Sequence, residues 1–271
     1  MNPALSSLSR LVVIGWFGFL GLPAITSAEV TGKEVSYTAG DTTMKGYLAL
    51  DESDSKQRPA VLVVHEWWGH NDYARKRAVM LAELGYVALA VDMYGEGKTA
   101  EHPKDAGAFA GAVMKDMETG EARFRAALEF VKSQPQVDSE QVAAIGYCFG
   151  GAIVLHMARI GMDLDAVASF HGNLSPKAEA KEGQVKARIL VCHGEADSFI
   201  PAEQVEAFQR EMNDAGADYR FESYPEAVHG FTNPGATELG KKFGINLAYQ
   251  EEADRKSWAS LEALLKEVFG K

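Results

Sequence analysis

The sequence predicts an α/β fold, with a mostly parallel central sheet, helices on both faces and an antiparallel hairpin at the N-terminal end. Three observations carry that prediction. Continuous apolar runs such as AVLVVHE, YVALAVDMY and ARILVCHG recur along the chain, as expected for strands buried on both faces. Stretches of helical periodicity separate them, and such alternation builds parallel sheets. Finally, 271 residues with no low-complexity tract suffice for one large core.

Residues 1–28 stand apart from this pattern. Arg10 precedes LVVIGWFGFLGLPA, an apolar stretch shorter than the roughly 20 residues a membrane-spanning helix needs. Small residues, TSA, end the segment just before Glu29. This is the layout of a secretory signal cleaved after Ala28, leaving residues 29–271 as a single exported, periplasmic or secreted domain with no stable membrane association. An uncleaved anchor is the alternative.

The hairpin is read from EVSYTAG and MKGYLAL, two alternating patterns around a Gly-Asp turn. AVLVVHE is the first buried strand, and helical periodicity from Tyr73 to Leu84 is stopped by Gly85. YVALAVDMY (86–94) is a strand, 104–133 mostly helix, QVAAIGY (141–147) a strand and 149–160 a helix. DAVASFHG, a helical or irregular stretch, and ARILVCHG follow. The helix from Ala202 to Asp214, the strand YRFESYP and a closing helix from Leu247 to Phe269 complete the chain. No GxGxxG follows the first buried strand, which removes the main support for a dinucleotide-binding fold.

Charge and cysteine content narrow the function. The formal net charge is −11 and moves to −12 when Arg10 leaves with the signal. An acidic surface without a basic stripe repels phosphate backbones, so nucleic acid is not an expected partner. Cys148 and Cys192 are the two cysteines. With the strand 166–171 between theirs, their backbones are expected roughly 10 Å apart, beyond the roughly 7 Å limit for a disulfide. Two free thiols are expected.

In open α/β sheets the ligand site lies beyond the carboxyl ends of the strands. One motif there is chemically pointed. Gly146-Tyr147-Cys148-Phe149-Gly150 has small residues two positions either side of a thiol, the requirement for a sharp strand-to-helix turn that exposes a nucleophile at its apex. The N-terminus of the helix 149–160 would favour the thiolate. A thiol nucleophile needs a base, and the base an orienting acid. Asp197, in HGEADSFIP, and His229, in EAVHGF, follow later strands in the chain order nucleophile, acid, histidine. His193 and His171 read as packing or pocket residues. HEWWGH (65–70) is one residue longer than the zinc-protease spacing, so no metal is expected. Its loop instead offers the Trp67 N–H, which with that of Phe149 would form an oxyanion hole.

GYCFGG, HGEADSFIP, AVHGF and HEWWG followed by a helix, spread over most of residues 35–270, resemble the dienelactone hydrolase family, whose members have the α/β-hydrolase fold. The resemblance implies a Cys148-Asp197-His229 esterase with no cofactor, and a Glu66 that accepts a hydrogen bond from the resting thiol. Tyr94, Glu96, His171 and Asn233 are candidates for the substrate pocket. Relatives use two arginines to clamp the substrate carboxylate, and the matching positions here are Glu96 and Asn233. Neither replaces an arginine fork, so the expected substrate is a small neutral ester or lactone. A non-catalytic binding protein on the same scaffold, or a hydrolase of thioesters or peptides, is the alternative. The oligomeric state is not legible from the sequence.

Overall fold

The computed structural model describes residues 1, 30–53 and 55–270; the expected signal segment lies outside the described residues, Met1 apart. The hairpin forms as expected from β1 (Val30–Ala39) and β2 (Thr42–Asp51), joined at Gly40 with φ 58°. Six further strands follow: β3 (Arg58–Val64), β4 (Val87–Val91), β5 (Val137–Tyr147), β6 (Ala166–Phe170), β7 (Arg188–Gly194) and β8 (Tyr219–Tyr224). Their order in the sheet is β1-β2-β4-β3-β5-β6-β7-β8. β2 pairs antiparallel with β1 and β4, and every pairing from β4 to β8 is parallel.

Alternation along β3 shows how the sheet divides its core. Ala60, Leu62 and Val64 face one apolar cluster, while Val61 and Val63 face the other, because successive side chains in a strand point to opposite faces. The first cluster packs under α2 (Pro103–Lys115), α3 (Met117–Lys132), α4 (Phe149–Arg159) and α5 (Ala202–Asp214), through residues such as Val113, Phe124, Ile153 and Phe208. The second packs under α1 (Asp72–Glu83) and α7 (Glu251–Phe269), through Ala78, Leu81, Leu261 and Leu264. No helix among the described residues is long and apolar enough to cross a membrane.

Among the boundaries that differ from the sequence reading, three have a clear local reason. The helical run 104–133 is two helices, because Asp116 leaves helical geometry (φ −119°, ψ 76°) and accepts from Thr119 N to cap α3. β4 stops at Val91 because the buried Asp92 carboxylate ties down the next loop. It accepts from Tyr94 N, Gly95 N and Gly97 N at 2.8–2.9 Å and from Lys45 N at 3.0 Å. Before the closing helix an unanticipated α6 (Ala236–Phe243) forms, and α7 begins at Glu251 rather than Leu247. Residues 247–250 instead run beside the His229 loop: Ala248 N donates to His229 O and Gln250 N to Phe231 O.

Candidate active site

Cys148 stands at the apex of the turn from β5 to α4, with φ 53° and ψ −113°. A positive φ is costly for a side chain bearing a Cβ, and such strain persists only where the surroundings impose it. Here they do. A Cβ on Gly146 would lie 2.1 Å from Gly150 O, and one on Gly150 would lie 2.2 Å from Val64 O, so only glycine lets helix and strand approach this closely. The Cys148 N–H donates to Phe170 O (3.0 Å) and to His171 Nδ1 (3.1 Å). Both cysteines are free thiols. Cys148 is half-buried and Cys192, across β6, fully buried.

The loops past β7 and β8 bring Asp197 and His229 together, with Asp197 Oδ2 2.8 Å from His229 Nδ1. The other Asp197 oxygen accepts from Phe199 N at 2.9 Å, which fixes the carboxylate from behind. His229 also interacts with the Cys148 side chain. Burial alone would lower the basicity of this imidazole. Negative charge on the Cys148 sulfur and the bonds to Asp197 and Cys148 outweigh it and carry the pKa up to about 10.

His171 lies behind the turn, with φ 41°. Its Nδ1 faces the Cys148 N–H, and its Nε2 lies 2.8 Å from Thr232 Oγ1. Burial, reinforced by positive charge on His229 and Arg77, holds it neutral. Thr232 Oγ1 continues to the Tyr73 hydroxyl at 2.7 Å, and Arg77 reaches both Thr232 O and Asp254. A buried strut thereby joins the Cys148 turn, the loop after His229 and helices α1 and α7. His193 packs on Phe221.

Glu66 is buried beyond β3, where burial pushes its carboxyl up to about 7, against the lowering effects of Asn233, His229 and Arg77. Its Oε2 accepts from Asn233 Nδ2 at 2.6 Å. That bond engages one carboxylate oxygen of Glu66 and leaves Oε1 outside it. Asn233 also borders a cavity of about 540 Å³, whose walls include Trp68, His70, Arg75, Glu101 and Lys242. Glu96 is not among those walls; it is exposed, and its N–H donates to Thr43 O. Tyr94 packs against Phe149 and donates from its hydroxyl to Trp67 O at 2.9 Å. The N–H groups of Trp67 and Phe149 have no acceptor among the described residues. No three His, Cys, Asp or Glu side chains among those residues gather to hold a metal.

Sequence reasoning passed over Phe199, the half-exposed ring set edge-on to His229 at 5.1 Å. Its position two residues after Asp197 was the available signal. The strut through Thr232 and Arg77 was equally invisible, since it joins residues 155 apart in the chain.

The turn, the ordered loops and the sheet together define an α/β-hydrolase. The chain belongs to the dienelactone hydrolase family, whose sequence profile matches residues 44–269. It is similar to the solved structure of a dienelactone hydrolase-like promiscuous phosphotriesterase from metagenomic libraries, at 37% identity and a TM-score of 0.83, covering 89% of this chain and 99% of that one. It is also 36% identical over 149 residues to the uncharacterised protein K02A2.1 of Caenorhabditis elegans, covering 54% of this chain and 92% of that protein. With Protein usf of Aquifex pyrophilus it shares 28% identity over 207 residues, covering 74% of this chain and 87% of that protein. The protein is a hydrolase of this family.

Proposed function

We propose that this hydrolase cleaves a small carboxylic ester or lactone through Cys148, His229 and Asp197, with a thioester acyl-enzyme between two half-reactions. The observation that carries the reading is the strained Cys148 turn together with a His229 whose Nδ1 is held by Asp197 at 2.8 Å. The Cys148 sulfur attacks the carbonyl carbon, and the carbonyl electron pair moves onto oxygen between the N–H groups of Trp67 and Phe149. Collapse of this intermediate expels the alkoxide, which takes the proton from His229, and leaves the acyl group on sulfur. Water then attacks the thioester as neutral His229 removes its proton. The second collapse releases the acid and restores the sulfur–imidazolium pair. Asp197 holds the Nδ1–H throughout, so that Nε2 is the nitrogen that exchanges protons.

Glu66 is the partner of the resting thiol, a role open to its Oε1 because the Asn233 bond engages Oε2. Tyr94 and Asn233 border the substrate. The likeness to a promiscuous phosphotriesterase supports a side activity on aryl phosphotriesters, where the same sulfur would attack phosphorus and expel the aryloxide. Export rests on the apolar segment after Arg10 and the small residues before Glu29, and N-terminal sequencing of the mature protein tests it.

The functional test is hydrolysis of short-chain aryl esters by the wild type, Cys148→Ala and His229→Ala. Activity in the wild type and its loss in both variants is the expected result. Comparable rates in all three would refute the assignment and favour a binding role for the scaffold.

A further inference from the structure

The chemistry above makes no use of His65, a fully buried imidazole directly past β3 with a hydrogen bond at each ring nitrogen. We propose that His65 is a positioning residue for the oxyanion hole, fixing the Glu66–Trp67 peptide so that the Trp67 N–H faces the reacting carbonyl. The assignment rests on the Cys148 reading above and extends it to a residue that touches no substrate.

His65 Nδ1 lies 2.5 Å from Glu66 O, and its Nε2 accepts the Met93 N–H at 3.3 Å. A carbonyl oxygen only accepts and an amide N–H only donates, so a single neutral tautomer satisfies both bonds: hydrogen on Nδ1, none on Nε2. Burial keeps the ring in that form by pushing its pKa down to about 4. Gly69 N donates to the same Glu66 oxygen at 3.1 Å. Peptides are planar and, among the described residues, all trans. Anchoring the Glu66 carbonyl on one side therefore aims the Trp67 N–H to the other, where it has no protein acceptor.

The remaining contacts of His65 serve the same geometry. Its carbonyl accepts the Gly150 N–H at 3.1 Å, so one residue ties the loop that offers the Trp67 N–H to the helix that offers the Phe149 N–H. Its ring stacks on Phe149 at 5.7 Å and meets Tyr94 edge-on at 4.7 Å. Tyr94 in turn pins the far side of Trp67 through its carbonyl. Glutamine offers an amide NH2 to donate to Glu66 O and a carbonyl to accept from Met93 N, in place of the two ring nitrogens. Phenylalanine fills the ring volume and makes neither.

The experiment compares wild type, His65→Phe and His65→Gln for p-nitrophenyl acetate hydrolysis and for Cys148 alkylation by iodoacetamide, a reaction with no oxyanion to stabilise. His65→Phe is expected to lose about 10- to 100-fold in kcat, with KM and the alkylation rate unchanged, and His65→Gln to recover most of the loss. If alkylation falls in parallel with hydrolysis, or kcat does not fall, His65 is a packing residue and the assignment is overturned. Should His65→Phe fail to fold, ¹⁵N-histidine spectra of the wild type decide: hydrogen on Nδ1 of a neutral His65 supports the assignment, and hydrogen on Nε2 overturns it. Failure of the functional reading itself gives a different pattern, wild-type hydrolysis that is absent or persists in Cys148→Ala, and this assignment falls with it.

Discussion

Replacing Glu66 by glutamine should make the protein's stability less dependent on pH, by an amount the structure sets. The Glu66 carboxyl is raised from its ordinary 4.5 to about 7, chiefly by burial. A folded state that binds this proton more tightly than the unfolded chain is stabilised at low pH. That contribution is fully present below the unfolded value and is lost as pH rises through about 7. Complete loss corresponds to about 3 kcal/mol. Between about pH 5 and pH 8.5, where both states can be measured, proton linkage gives about 2.5 kcal/mol. Glutamine preserves the shape and can still accept from Asn233 Nδ2, the bond that Glu66 makes at 2.6 Å, but it does not titrate. Urea unfolding of both proteins at the two pH values isolates the effect, because every other titrating group is common to both. The wild-type stability minus that of Glu66→Gln should fall by about 2.5 kcal/mol from the lower pH to the higher. A difference flat to within about 0.5 kcal/mol would show that Glu66 is ionised as readily in the folded protein as in the unfolded chain, and the argument from burial would fail.

Other parts of the account can be tested separately. A haloacetamide should label Cys148 well before Cys192, because the first is half-buried beside His229 while burial pushes the thiol of the second up; equal rates by peptide mass spectrometry would argue against a reactive turn. A neutral ester should exceed its carboxylate-bearing analogue in kcat/KM by roughly 10²–10⁴, from two absent charge-assisted bonds of about 1.5–3 kcal/mol each. The Asn233 amide is committed to Glu66 and Gly235 N, and Arg75 to Glu34; preference for the anion would identify Arg75 or Lys242 as a clamp. Gly150→Ala should destabilise by more than about 2 kcal/mol in urea unfolding, since its Cβ meets Val64 O at 2.2 Å. Gly111→Ala, in α2 with open space around it, should stabilise by about 0.5–1 kcal/mol, and similar effects at the two sites would contradict the close approach inferred at Gly150.

The parts of this molecule legible in its sequence are those governed by local pattern. Buried strands announce themselves as apolar runs, and the Gly146-to-Gly150 spacing marks the turn because it reflects a steric demand within five residues of chain. Asp197 and His229 could be placed because each directly follows a strand, and parallel strands deliver their ends to one edge of the sheet. What stayed hidden depends on partners distant in sequence. Periodicity could not show that residues 247–250 leave the helix to bond the His229 loop. Nor could it show that Asn233 spends its amide on Glu66, 167 residues away. His65 looked like half of a failed metal motif because its neighbour in space, Met93 N, follows a different strand.

The central claim is that Cys148 carries the acyl group during turnover, and acid-quenched mass spectrometry of the protein mixed with excess p-nitrophenyl acetate tests it most directly. The account predicts a species heavier by one acetyl group within the first turnovers. Digestion should map that group to Cys148, its hydroxylamine lability should be that of a thioester, and Cys148→Ala should not form it. Full-rate hydrolysis by Cys148→Ala, or an acetyl group mapped to another residue during turnover, would contradict the account.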